Sequence, residues 1–252
     1  MTGTCDLCHS SALEPIYEPA TSRRGLTVYL CSDCGLVQSL PHAERKMRSI
    51  AARDNVRFSK ASSTEACLSL IRAHADLDSR LCVLHTGFNR GPFARALRNA
   101  APAAILTSVG PDQDDRLLEA HFDIVYSCRV IAQRVSPAST LADHWRALKP
   151  GGLLIIDAPN IAQIGSDDIA EEWFIDNHLY HFSRRTLARL LEIAGFETVA
   201  GADSQDGENL LFAARKRNEP TRSVARDSAE VDAALALIDS YVTARVGAQR
   251  AA

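Results

Sequence analysis

From Leu81 onward the apolar residues fall into short runs separated by amphipathic stretches. The runs at 81–86 (LCVLHT), 103–109 (AAILTSV), 122–127 (FDIVYS) and 152–157 (GLLIID) predict strands, and 196–200 (FETVA) and 209–213 (NLLFA) add two more. Helical spacing predicts helices at 91–100, 138–148 and 184–194. In the last of these Leu187, Leu190, Leu191 and Ala194 mark one face and Gly195 ends it. Strands alternating with helices imply a mainly parallel sheet in three layers. Upstream, residues 42–79 are charged and alanine-rich, with apolar positions at Cys67, Leu68, Leu70 and Ile71, and predict one or two connecting helices. Residues 217–227 form a polar linker. Beyond it Val231, Leu235, Ile238 and Val242 make a stripe at helical spacing, which fits a helix packed on its own domain or against a second copy.

The first forty residues follow a different rule. Cys5 and Cys8 (CDLC) and Cys31 and Cys34 (CSDC) form two C-x2-C pairs separated by 22 residues. Each pair can fold into a knuckle presenting two thiolates, and the intervening segment is long enough for a hairpin that brings the pairs onto one tetrahedral ion. These four cysteines are the predicted zinc ligands. Four thiolates leave no open coordination position, so the zinc is expected to be structural. So small a module has little core, and metal binding would supply much of its folding free energy. Gly35, directly after the second pair, suits a turn with positive φ. His9 follows the first pair and reads as a solvent-facing neighbour.

Composition narrows the function classes. The chain has 252 residues, 46% hydrophobic and 23% charged, with a formal net charge of −3 and a pI near 6.2. No global field favours nucleic acid or a membrane surface, and the ribbon carries no basic stripe. The opening MTGTCDLCHSS has no basic segment followed by an apolar one, so a cytoplasmic location is expected. Seven cysteines, an odd number, argue against a disulfide framework. Cys67, Cys82 and Cys128 stand singly in apolar surroundings, as core residues do.

Several segments together resemble one family. LTVYLCSDCGLVQSLP resembles the second knuckle of the zinc-binding N-terminal domain carried by certain class I S-adenosylmethionine-dependent methyltransferases. FDIVYS followed by LADHWRALKPGGLLIIDAPN resembles the fourth strand, helix and fifth strand of that fold. WFIDNHLYHFSRRTLARLLEIAGFETV is similar to the following segment in members that act on sugars and other small molecules. The resemblance implies a Rossmann-like three-layer α/β domain and S-adenosylmethionine as methyl donor. Its acceptor would be a small molecule such as a nucleotide-linked sugar. It also implies acid–base chemistry at His178, with Tyr180 and His181 beside it. A histidine of ordinary pKa suits proton removal at neutral pH. Ser183 would cap the next helix.

The cofactor side departs from the family pattern. Where the family's first loop reads approximately D-x-G-x-G-x-G, this chain has His85, Gly87, Asn89 and Gly91. The carboxylate expected at the end of the second strand is replaced by Gly110, with Asp112 two residues on. Only eleven residues, 111–121, separate Gly110 from Phe122, too few for a helix and a third strand. The Glu-His pair of relatives is Ala132-Gln133. The expected architecture is therefore a reduced methyltransferase sheet without its third strand. Its parts are a zinc ribbon at 1–41, a helical connector at 42–79, the methyltransferase-like domain at 80–216, and a linker and C-terminal helix at 217–252. The alternative to an enzyme is a catalytically inactive scaffold that binds a protein partner or another ligand.

Overall fold

The computed structural model describes residues 3–41, 62–87, 90–110, 117–165, 172–204, 207–217, 219–221 and 224–251. Residues 42–61 of the connector, Asn89 and Asp112 lie outside them. Strands β1 (Leu13–Tyr17), β2 (Leu26–Cys31) and β3 (Val37–Pro41) form an antiparallel meander. Helix α1 (Ser62–His74) follows, then β4 (Cys82–Gly87), α2 (Arg90–Ala100), β5 (Ile105–Val109), β6 (Phe122–Cys128), α3 (Pro137–Ala147) and β7 (Leu148–Pro159). The chain continues through β8 (Tyr180–His181), α4 (Arg184–Ile193), β9 (Phe196–Asp203), β10 (Asn209–Lys216) and α5 (Ser228–Ala251).

The main sheet has the order β5-β4-β6-β7-β10-β9 among the described residues. β5, β4, β6 and β7 are parallel, while β10 runs antiparallel to both its neighbours. The period-two alternation of each core strand sorts side chains onto the two faces. Leu84, Val125, Leu154, Ile156 and Phe212 pack with Leu141 of α3 and with Leu187, Leu190 and Leu191 of α4. Val83, Ile124, Leu153, Ile155 and Leu211 pack with Cys67, Leu68 and Ile71 of α1 and with Phe93 and Leu97 of α2. This is the expected three-layer arrangement. Successive strands step outward from β4 to β5, and the chain then returns to β6 on the other side of β4. The sheet therefore reverses direction between β4 and β6, where the carboxyl ends of an α/β sheet open a crevice.

Predicted elements recur with shifted ends. The strand expected at 152–157 runs over Leu148–Pro159, because LKPGG continues the ladder through a bulge: Phe122 pairs with Leu148 and Ile124 with Leu153. Gly151 takes φ +73° within it. Helix α3 stops at Ala147, so Pro150 does not itself break it. Ser183 caps α4 through the Thr186 amide, as expected, and Ser136 caps α3 through the Ser139 amide. α5 lies on its own chain: Ala234, Ile238 and Tyr241 bury against Val28, Leu30 and Val37 of the ribbon and against Trp173 and Phe174. Val231 and Val242 flank that face, whereas Leu235 of the expected stripe is exposed. A buried network locks the helix down. The Glu172 carboxylate accepts from Tyr241 (2.6 Å) and Tyr17 (2.9 Å) and meets Arg245 at 3.3 Å.

The meander is not a free-standing ribbon. β8 adds to its outer edge, pairing Tyr180 with Gln38 and His181 with Val37, to give the order β1-β2-β3-β8. Ribbon residues Cys5, Leu7, Leu26 and Leu36 share one core with α3 and α4.

Two glycines of the first loop have opposite requirements. Gly87 adopts φ +114°, and a β-carbon there would lie 2.4 Å from the Cys128 carbonyl and from Val130. Gly91, at the start of α2, would present a β-carbon to open space. Gly87→Ala should therefore destabilise the fold by about 2 kcal/mol or more, and Gly91→Ala should leave it unchanged or raise it by up to ~1 kcal/mol. Urea unfolding midpoints of the two variants check this pair.

Candidate functional site

The four cysteines meet as the spacing predicts. Their sulfurs all lie within 4.8 Å of one another, with Cys5–Cys34 and Cys8–Cys31 each at 3.5 Å. Tetrahedral thiolate coordination at ~2.3 Å per bond sets sulfur–sulfur edges of roughly 3.8 Å, so the cluster fits one ion. The two knuckles share a backbone design. The His9 amide bonds the Cys5 carbonyl at 2.8 Å and the Gly35 amide bonds the Cys31 carbonyl at 2.9 Å. Both residues take positive φ, 60° at His9 and 76° at Gly35, and His9 is exposed. Hydrogen bonding among the four sulfurs, with burial, pushes the Cys5 and Cys34 thiols well above their usual range and the Cys8 and Cys31 thiols below it, so two of the four resist ionisation. A divalent cation reverses that balance by stabilising the thiolates, which makes the donor set suited to zinc.

Each knuckle also docks on a helix start. The Asp6 carboxylate accepts from Ser136 Oγ (2.7 Å) and the Ala138 amide (2.8 Å) at the N-terminus of α3. Gly35 packs so closely on Glu230 that a β-carbon would approach its backbone to 2.9 Å, and the Asp33 carbonyl accepts from the Asp227 amide. Asp227 then pairs with Arg185 and Arg189 of α4. Aspartates near helix N-termini are electrostatically favourable.

The second cluster sits at the carboxyl edge of the main sheet. Gly87, Cys128 and Asp157 are in register across β4, β6 and β7. Arg129, the residue after β6, is buried, has φ +54°, and places its Nε 3.6 Å from Asp157 Oδ2. Its positive φ is uncommon for a non-glycine residue and marks a constrained position. Desolvation first, and the Arg129 guanidinium second, hold the His178 imidazole down to about 4. His178 is therefore buried and neutral at pH 7, and it does not keep the ordinary pKa that the sequence led one to expect: burial makes it a weaker base.

The other sequence-predicted residues occupy different places. His181 is held down to about 3 by burial, and its Nε2 lies 2.9 Å from Ser39 Oγ of the ribbon. Tyr180 donates to the Val135 carbonyl (2.9 Å) and stacks on Phe182, with burial pushing its phenol up. Both belong to the joint between ribbon and sheet. His85 is fully buried, its ring stacked on Phe93 at 5.5 Å and tilted against Tyr126 at 5.3 Å. Gly110 is buried at the end of β5. Cys128 is pushed up to about 12 and Cys67 well above its usual range, both chiefly by burial, as core thiols are. Sequence reasoning missed Arg129 and Asp157. Asp157 left a trace as a carboxylate closing the apolar run LLIID; nothing in the sequence marks the conformation of Arg129.

The chain belongs to the methyltransferase-domain family: the family described as "Methyltransferase domain" matches residues 58–200. Its fold is that of class I S-adenosylmethionine-dependent methyltransferases. A chain from the complex between the Haloferax volcanii Trm112 methyltransferase activator and a candidate methyltransferase is similar at 16% identity and TM-score 0.51, over 63% of this chain and 90% of that one. Also similar is a SAM-dependent methyltransferase from Aquifex aeolicus, at 12% identity and TM-score 0.48, over 62% of this chain and 98% of that one. Burkholderia thailandensis 1,6-didemethyltoxoflavin-N1-methyltransferase aligns at 17% identity and TM-score 0.48, over 81% of this chain and all of its own. No curated protein matches the chain. Among the described residues no helix is long and apolar enough to cross a membrane.

Three buried histidines set an acid limit on the fold. His144 is held down to about 3, His178 to about 4 and His181 to about 3, against an unfolded value near 6.5. Folded values below the unfolded one mean that their contribution is complete above pH 6.5 and is lost as pH falls toward 4 and then 3. Each site should add about 1.4 kcal/mol per pH unit to that slope. In urea unfolding between pH 6 and 5, His144→Gln should flatten the pH dependence by about one histidine's share.

Proposed function

We propose that this chain transfers a methyl group from S-adenosylmethionine to a small molecule, such as a nucleotide-linked sugar, at the carboxyl edge of the sheet between β4 and β6. The observation that carries this reading is the split between the two loop glycines: packing demands Gly87, while Gly91 is free of contacts and keeps the start of α2 open to a ligand. When bound, S-adenosylmethionine supplies an electrophilic methyl group on a cationic sulfur. Gly87 turns the chain tightly off β4, and the first amides of α2 offer donors to a ligand carboxylate. Neutral His178 accepts the proton of the acceptor as that atom gains its methyl group. The buried pair of Arg129 and Asp157 sets the charge at that edge, while Tyr180 and His181 hold the segment. A structural zinc ion is bound by Cys5, Cys8, Cys31 and Cys34.

A second reading, an inactive scaffold for a protein partner or another ligand, is favoured by one feature. His85 fills its position with a buried ring where the family carries a carboxylate, and Gly110 offers no carboxylate either. Two missing charge-assisted contacts at ~1.5–3 kcal/mol each would put the dissociation constant of S-adenosylmethionine in the high micromolar range or above. Calorimetric titration with S-adenosylmethionine and its demethylated product separates the readings. The enzyme reading expects measurable binding that Gly91→Ala weakens at least tenfold with no loss of stability. Absence of binding at millimolar ligand would favour the scaffold. With an acceptor in hand, His178→Gln should lower kcat by about a hundredfold or more.

Metal analysis tests the ribbon independently: one zinc per chain is expected, and Cys31→Ser should release it. No bound metal in protein with intact thiols would overturn the assignment.

A further inference from the structure

The segment that carries His178 is gripped from two sides, and both grips lead back to one cysteine knuckle. On the ribbon side the Ser39 amide donates to the Leu179 carbonyl at 2.7 Å, and the neighbouring pair is Gln38 with Tyr180. On the sheet side the Leu179 amide donates to the Ala132 carbonyl at 2.8 Å, and Tyr180 donates to the Val135 carbonyl. His178 itself is closed by its amide onto the Ile175 carbonyl at 3.0 Å. These bonds leave little freedom for a buried imidazole in their midst.

The two arms converge on residues 4–8. Fully buried Gln38 accepts from the Asp6 amide through Oε1 and donates to the Thr4 carbonyl through Nε2, both at 3.3 Å. Those partners flank Cys5 directly. Asp6, the next residue, holds Ser136 and Ala138 through its carboxylate, and so fixes the 131–138 loop that forms the other arm. Knuckle geometry depends on all four sulfurs meeting one ion, so the backbone at 5–8 is set by occupancy of the site. A shift there has to pass to both arms because each is hydrogen-bonded and buried.

We propose that Asp6 and Gln38 are positioning residues that couple metal occupancy of the four-cysteine site to the placement of His178. This inference rests on the reading of His178 as the acceptor-side base, but the coupling itself is measured without turnover. The metal is then a clamp on the reaction segment as well as a staple for the ribbon.

The test is amide hydrogen exchange on the full chain, zinc-loaded by metal analysis and then stripped with a chelator. Stripping should speed exchange at Ser39, Leu179 and Ala138 at least tenfold, with β4, β6 and β7 unchanged. Zinc-loaded Gln38→Leu and Asp6→Ala should already show faster exchange on their own arm, at Ser39 and Ala138 respectively. Asp6→Asn, which keeps an acceptor for the Ala138 amide, should restore protection there. Where Gln38→Leu fails to fold, the wild-type comparison and the Asp6 pair decide. Exchange that rises on stripping only within residues 3–37 overturns the coupling. So does a zinc-loaded Asp6→Ala chain with wild-type protection at Ala138. A chain that takes up no zinc overturns the metal assignment together with this inference. Absence of S-adenosylmethionine binding would sink the methyltransferase reading and leave the coupling standing.

Discussion

The pairing of β8 with β3 ties the ribbon sheet to the segment that leads into α4. Only Tyr180 and His181 form the strand, yet they extend the ribbon sheet by one strand and deliver Ser183 to the start of α4. The backbone groups there are buried, so each must find a partner within the chain. Ser39, Ala132 and Ile175 supply those partners, and no solvent competes. Because the joint is dry, its histidines are neutral and its tyrosine hydroxyl is fixed on a carbonyl. The ribbon, the 131–138 loop and α4 are consequently placed with respect to one another through a segment of a few residues.

The carboxyl edge of the main sheet inherits its geometry from this joint and from one close approach. Gly87 lets the end of β4 come within contact of Cys128 and Val130, which no side chain would allow. Arg129 then turns with positive φ and lays its guanidinium beside Asp157. A buried pair of opposite charges contributes little net stability, since desolvation offsets most of the attraction. What it contributes here is a fixed field, and burial first, with the cationic Arg129 second, keeps the His178 imidazole neutral. Charge placement at this edge thus follows from strand register: Cys128 opposite Asp157 and Gly87 opposite Cys128.

The C-terminal helix completes the molecule by covering the outer face of the ribbon. Ala234, Ile238 and Tyr241 seal Val28, Leu30 and Val37, and Glu172 ties the helix to β1 through two tyrosine hydroxyls and Arg245. A small antiparallel meander has too little apolar surface to stand alone, so the ribbon borrows core from α3 and α4 on one side and α5 on the other.

The sequence by itself determined the strands and helices of the main domain, their three layers and the meeting of the four cysteines. Period-two runs, helical spacing and helix caps are local, so strands such as LCVLHT and helices such as 184–194 were legible without long-range information. C-x2-C pairs also write their geometry locally, through turns of four residues. Tertiary structure alone decided what became of the HLYHFS segment. His178 is buried within the electrostatic reach of Arg129, while Tyr180 and His181, two and three residues away, go into the ribbon joint. It also decided that Gly87 is a packing requirement and that the C-terminal stripe turns Ile238 inward and Leu235 outward. Each of these depends on atoms far apart in the chain meeting at van der Waals or hydrogen-bond distance, and one-dimensional patterns hold no record of such meetings.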